Sequence, residues 1–405
     1  MSRAPFVTAL LRIMPLIFLG GSSSVLALED SATTVDRRVN AAQEQTFRNA
    51  IATTESAYGA YAPELSEQLL SLGITLQAQG RHEEAVDLFK RGVHLARIND
   101  GLYSAQQIPL LQGQIKSHIA QGDYSAADER QQYMYRVQVR SIGSGMQRTL
   151  ALMQQAQWQH NAYRLGLGPQ DYTRIMNMWD LYRLALNDII AREGESSPTL
   201  LLPLQGMLEA QYLISGYQWT DQSHSSSDDL GARQQLNRFN AYRAQSFEKG
   251  RSVILAMYGI ERERSGEQSL AAAETLVMLG DWQLWHDERE DAWQAYQSAL
   301  LELAERDDAQ VHIDQLFGEP VALPNIASVS PLPRMVDAEQ GNILLEFGVS
   351  DRGRVVDLER VDDNDVSNGK ANRLMRKLRK TQFRPRFEAG EPTGTEKLVR
   401  AFNIE

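Results

Sequence analysis

The 405-residue chain contains no cysteine. Disulfides, thiolate metal sites, cysteine nucleophiles and lipid attachment through cysteine are therefore excluded. An oxidising compartment is compatible with such a chain but not demonstrated by it. Basic charge is also scarce: 41 Lys and Arg stand against 52 Asp and Glu, for a net charge of −11. That balance makes a poor general binder of nucleic acid, because neutralising phosphates requires a basic surface. Apart from a stretch near the N-terminus, no apolar run approaches the ~20 residues of a spanning helix. No G-x-x-x-x-G-K-[ST] loop, H-E-x-x-H or G-x-S-x-G motif is present. The histidines at 82, 94, 118, 160, 224, 286 and 312 never pair at ligand spacing. Asp363-Asn364-Asp365 lacks the Gly and Glu of a calcium loop and reads, with Asp362, as a solvated acidic loop. No metal, cofactor or catalytic residue is expected. Hydrophobic residues at 42% and charged residues at 23% are ordinary for a globular protein, so a core can form.

The N-terminal stretch carries Arg3 and Arg12, then Ile13–Leu19, apolar apart from Pro15, then a small polar segment from Gly20 to Ser24. Val25-Leu26-Ala27 offers small residues at the −3 and −1 positions of a cleavage site. This is the layout of a secretory signal peptide over residues 1–27. The competing reading is an uncleaved anchor, which Arg12 interrupts. Cleavage would leave 39 basic against 52 acidic residues, and a periplasmic protein with no stable membrane span.

From about Val35 to Asp307 apolar residues recur at three- and four-residue spacing, which predicts helices. Prolines fall between the segments, at Pro63, Pro109, Pro169, Pro198 and Pro203. Residues 66–99 read SEQLLSLGITLQAQGRHEEAVDLFKRGVHLARIN. Small residues at Gly73 and Ala85 let two helices approach, and Leu69 and Phe89 fill the space between that pair and the next. A shift of 42 residues back puts Phe47 over Phe89 and Ala50 over Gly92. The same shift forward puts Leu111 over Leu69, Gly122 over Gly80 and Ala127 over Ala85, with Ile115 at the small position and Gln131 at the aromatic one. Residues 273–306 repeat the spacing with Leu276, Leu279, Gly280, Ala292, Tyr296 and Ala299, and Phe247-Glu248-Lys249-Gly250 echoes Phe89-Lys90-Arg91-Gly92. On these residues the body, 28–310, resembles the tetratricopeptide repeat family, which implies a solenoid of helical hairpins. An irregular helical bundle is the alternative, since 145–265 shows no clear repeat. His118 falls at a packing position and is expected inside; His82 and His286 fall near hairpin turns and are expected outside. Residues 217–232 read as an exposed loop.

After residue 307 the composition changes. Four prolines in 318–334 predict a semi-rigid linker over 311–335. Ile343, Leu345 and Phe347 alternate as in a half-buried strand, Asp351-Arg352-Gly353 marks a turn, and 354–361 is a second strand. Residues 367–381 form an amphipathic helix with Leu374 and Leu378 inward. GNILLEFGVSDRGRVVDLERV, LMRKLRKTQFRPRFEAGEP and LVRAFNI then place 336–405 in resemblance to the TonB family C-terminal domain. The fold class is thus mainly α, a tetratricopeptide-like solenoid followed by a small α+β domain. That second resemblance implies a sheet edge open to a partner strand. The cleavable leader and short linker depart from TonB itself, so its energy-coupling role is not carried over.

Two groups of residues are candidates for partner binding. Arg373, Arg376, Lys377, Lys380 and Arg384 belong to a basic stripe in an acidic chain. They suit an anionic partner, a solvated helix face, or an intramolecular contact with the acidic repeat body. Trp282 and Trp285 belong to one aromatic group, and Trp158, Trp179 and Tyr182 to another; each fits either a groove lining or the core. The expected function is a periplasmic scaffold binding envelope proteins or peptides. The alternatives are an accessory of a TonB-type transport system and an envelope enzyme with a site built from distant residues.

Overall fold

The computed structural model describes residues 29–168, 171–219, 230–266, 269–326, 328–330, 332–337, 340–362 and 368–404, with backbone alone at 29–40 and 368. The leader, Asp363–Asp365 and most of the 217–232 loop lie outside these residues. Helices α1 (Glu29–Tyr58), α2 (Leu65–Ala78), α3 (His82–Asp100), α4 (Gln107–Ala120), α5 (Tyr124–Ser141), α6 (Met146–Arg164) and α7 (Asp171–Glu193) follow in sequence. Then come α8 (Leu201–Ser215), α9 (Leu230–Ala244), α10 (Ser246–Ser265), α11 (Leu270–Trp285), α12 (Arg289–Ala304) and α13 (Ala309–Phe317). No helix among the described residues is long and apolar enough to cross a membrane.

The helices pair into hairpins because the same turn closes them. Gly80, Gly122, Gly166 and Asp287 all take left-handed φ angles, of 75°, 75°, 65° and 66°. In each turn the next amide reaches back to a carbonyl five residues earlier. Arg81 N–H donates to Leu76, Asp123 to His118, Leu167 to Ala162 and Glu288 to Gln283, each at 2.9 Å. This is the helix-ending motif that satisfies orphan carbonyls and favours glycine at the left-handed residue. The third turn shows that α6 and α7 form a hairpin inside the stretch that shows no clear repeat in the sequence. Helix α10 packs as the second helix beside α8, as the Phe247–Gly250 echo predicts, and α9 is inserted between them.

The seams between hairpins are filled by large residues against small ones. Phe89 is wholly buried between Gly73 of its own hairpin and Gly113 of the next. A Cβ at Gly73 would sit 2.4 Å from the Phe89 ring, and one at Gly113 would sit 2.6 Å from it. Tyr182 meets Gly206 in the same way, and Tyr296 meets Gly280. Each glycine is there because close packing leaves no room for a methyl group.

Beyond α13 lie β1 (Val321–Ala322), β2 (Met335–Val336), β3 (Ile343–Val349), β4 (Val355–Arg360), α14 (Asn368–Lys380), β5 (Phe383–Arg384), β6 (Arg386–Glu388), β7 (Glu391–Thr393) and β8 (Thr395–Phe402). An antiparallel sheet of order β2-β8-β3-β4 carries α14, whose Leu374 and Leu378 are buried with Ile343, Leu345 and Phe347. The small α+β region follows the strand, turn, strand, helix, strand order read from the sequence. The stretch 311–335 holds the greater part of α13 and all of β1, and β1 pairs antiparallel with β5. Ile326 and Val329 pack onto the helical core holding Leu152, Ala156, Leu204 and Leu208.

Candidate partner-binding face

Identical turns put equivalent positions of the first helices in register. Six residues before the left-handed turn residue stand Ile74 on α2, Lys116 on α4, His160 on α6 and Asp281 on α11. Glu209 on α8 joins them, because it follows Gly206 as Lys116 follows Gly113. These five residues form one row along one face of the stack. Repeat solenoids bind partners along such continuous faces.

The two ends of the row differ in cover. Ile74 is 53% exposed and Lys116 is exposed. His160 is 1% exposed and Asp281 4%. Ser328 lies against both Glu209 and His160. Arg384 places its Nη1 3.0 Å and 2.9 Å from the two Asp281 carboxylate oxygens, and the Tyr296 hydroxyl donates to Asp281 at 2.8 Å. Below Arg384, Phe387 joins Trp293, Tyr296 and Phe317 in an aromatic cluster.

Burial controls the charges beneath this cover. It pushes the Asp281 carboxyl up, opposed by the Arg384 guanidinium and the Tyr296 hydroxyl. It pushes the Glu209 carboxyl up, opposed by Ser328. It lowers the His160 imidazole, and the nearby Arg164 lowers it further.

A second polar feature lies in the seam between α5 and α6. Gln131 occupies the position of Phe89, and its amide donates to Gln155 at 2.9 Å, both side chains being buried. Asp128 accepts from Trp158 Nε1 at 2.7 Å, from Gln132 at 2.9 Å and from Arg174 at 2.6 Å. A groove of about 660 Å³ opens here, lined in part by Gln132, Tyr135, Arg136, Thr173 and Asn177. The sequence carries a trace of this network. Gln155 follows Gln131 at the interval by which Gly113 follows Phe89.

The expected site residues separate. Arg373, Arg376, Lys377 and Lys380 are exposed on α14, and none makes an ion pair among the described residues. Arg384 is not on that surface. It is 2% exposed and contacts the helical body, the intramolecular option for the stripe. Trp282 is not a groove lining either. It is wholly buried, its indole N–H donates to the Phe247 carbonyl at 3.0 Å, and its ring covers Gly250. Trp285 is half-buried and donates to Ser215 at 3.1 Å. Trp158, Trp179 and Tyr182 are core, since burying large aromatic rings between helices gains more than exposing them. His286, expected outside, is half-buried against Trp282 and Phe247, and burial lowers its pKa to about 4. His118 is half-buried, with its pKa lowered by burial against the pull of Asp123. Among the described residues no group of His, Asp and Glu is placed to hold a metal ion.

No family model and no curated protein matches the chain. Among solved structures it is similar to BtubC (BKLC) from P. vanneervenii, at 12% identity over 65% of this chain and 91% of that one, with a TM-score of 0.36. It is also similar to a Podosopora anserina kinesin light chain with nearly identical TPR-like repeats, at 13% identity over 60% of this chain and 96% of that one, with a TM-score of 0.36.

Proposed function

We propose that this protein is a non-catalytic scaffold of the tetratricopeptide type, exported to the periplasm on residues 1–27, that binds envelope proteins along its first-helix face. The observation that carries the reading is the exposure of Ile74 and Lys116 at equivalent positions of successive first helices. An exposed apolar residue beside an exposed cation, held by a rigid stack, is an anchor for a protein segment rather than for a small molecule. The basic face of α14 adds a second contact for an anionic partner.

The test is to place a photo-crosslinking residue at Ile74 in the full chain, crosslink in cells and fractionate the envelope. Periplasmic recovery with one or two reproducible partners, lost in Lys116→Glu, supports the reading. Recovery without a partner turns attention to an enzymatic or small-ligand role.

A second reading is favoured by the sheet. Strand β4 is one of its two outer strands, with Val356 exposed. A TonB-like module would add a transporter's strand at that edge. Binding of transporter-derived peptides to the full chain supports this role; no binding removes it.

A further inference from the structure

The row of Ile74, Lys116, His160, Glu209 and Asp281 is one repeating surface, yet its second part is occupied by the chain itself. The occupants are residues 321–326, 328–330 and 383–387. Strand β1 pairs with β5, and Leu323 N–H donates to the Gln382 carbonyl at 2.8 Å, so the two segments hold each other. Among the described residues, no backbone-to-backbone hydrogen bond joins these segments to α1–α12. They hold the helices mainly through side chains: Arg384 on Asp281, Phe387 on Tyr296, Ser328 against Glu209, and the packing of Ile326 and Val329; the Ser328 backbone faces His160. Contact through side chains is how a separate peptide would bind such a face. The chemistry is complementary as well. The helices offer His160 and two carboxylates, and the cover brings a guanidinium flanked by Phe383 and Pro385.

We propose that the covered end of the row is a binding site in its own right, for an extended protein segment bearing an arginine beside aromatic and proline residues. The chain's own Phe383–Phe387 segment fills this site until such a partner displaces it. This inference rests on the scaffold reading, and it enlarges the partner face from the α2–α4 end to the α6–α11 end. It also gives the two ends different selectivity, because Asp281 demands a cation whereas Ile74 demands an apolar contact.

The experiment uses the full chain in two forms. The wild-type protein is followed by hydrogen exchange. The proposal expects the Leu323 amide to exchange through a local opening, faster than the amides of α12. In addition, a fluorescent peptide of residues 380–390, KTQFRPRFEAG, is titrated into wild type and into Arg384→Ala/Phe387→Ala. A tethered segment competes at an effective concentration on the order of millimolar, so the double variant should bind the peptide at least about tenfold more tightly than wild type. Replacing the peptide's arginine that corresponds to Arg384 by alanine should abolish the binding. Leu323 exchanging only with the whole molecule, or a folded double variant that ignores the peptide, overturns the proposal. If the double variant fails to fold, the exchange measurement alone decides. Crosslinking at Ile74 surviving any of these outcomes would leave the scaffold reading in place.

Discussion

The hairpin of α2 and α3 and the hairpin of α11 and α12 share one design and end in different surroundings. Each closes on a left-handed turn residue, Gly80 in one and Asp287 in the other. Each clamps an aromatic ring on a glycine, Phe89 on Gly73 and Tyr296 on Gly280. The face position holds Ile74 in the first and Asp281 in the second. An isoleucine at the surface costs little. A carboxylate sealed from water is tolerated only when paired, and Arg384 arrives from 103 residues away to pair it. The same scaffold thus presents an open apolar position at one end and a closed ionic one at the other. One substitution in a register position changes what the face can accept.

The largest break in this comparison comes from removing one member of the buried pair. Arg384→Ala should cost about 3–5 kcal/mol in urea unfolding of the full chain, because Asp281 is left charged and unpaired. Lys116→Ala at the open end should leave the midpoint unchanged. Equal effects from both would mean that the two ends are not differently covered.

The seam between α5 and α6 gives the next effect. Gln131→Leu leaves the buried Gln155 amide without its partner and should cost about 1–3 kcal/mol by the same measurement. A neutral outcome would show that the glutamine pair is not needed to close the seam.

A smaller effect depends on pH. Burial holds His286 neutral in the folded protein, with a pKa of about 4, below its ordinary value near 6.5. The unfolded chain therefore binds more protons between those values, and stability falls as pH drops from about 6.5 toward 4. The slope from this one group is at most about 1.4 kcal/mol per pH unit. Comparing unfolding midpoints of wild type and His286→Gln across that window should show a shallower slope in the variant.

The smallest effect concerns the turns themselves. Asp287 holds a left-handed conformation that glycine adopts more readily. Asp287→Gly should therefore raise stability by less than about 1 kcal/mol, since glycine also loses more entropy on folding. Gly80→Ala should lower it by about 1 kcal/mol, because an L side chain is strained there. Melting curves of the two variants moving in the same direction would contradict the equivalence of the turns.

The comparison also explains what could be read in advance. The hairpin at 66–99 was legible because its determinants are local: Gly73, Gly80, Ala85 and Phe89 act within one repeat. The small C-terminal region was legible for a similar reason, since alternation at Ile343, Leu345 and Phe347 and the Leu374–Leu378 stripe declare a sheet and its helix. The α6–α7 hairpin was hidden by polar substitution. Its seam is closed by Gln131, Gln155, Asp128 and Arg174, and the Asp128–Arg174 pair spans 46 residues. The docking of the C-terminal region was only one of three options for the basic stripe, because its partner on the helices has no local cause in the sequence. One signal did exist. Asp281 sits between Leu279-Gly280 and Trp282 in the mainly apolar helix LAAAETLVMLGDWQLW, where an unpaired buried carboxylate would be costly. Such a residue points to a cation elsewhere in the chain, though not to which one.

The central claim is that one register of first-helix positions runs from an open end to an end covered by the chain itself. The absence of native cysteine allows it to be tested with single-cysteine variants. Ile74→Cys and His160→Cys would each be made in the full chain, and the rate of thiol labelling measured under native conditions. The account predicts that the cysteine at 74 labels at once and that the cysteine at 160 labels at least about tenfold more slowly, limited by opening of the cover. Removing the cover's grip with Arg384→Ala should speed the second reaction and leave the first unchanged. Equal labelling rates at 74 and 160 in the otherwise wild-type chain would contradict the account.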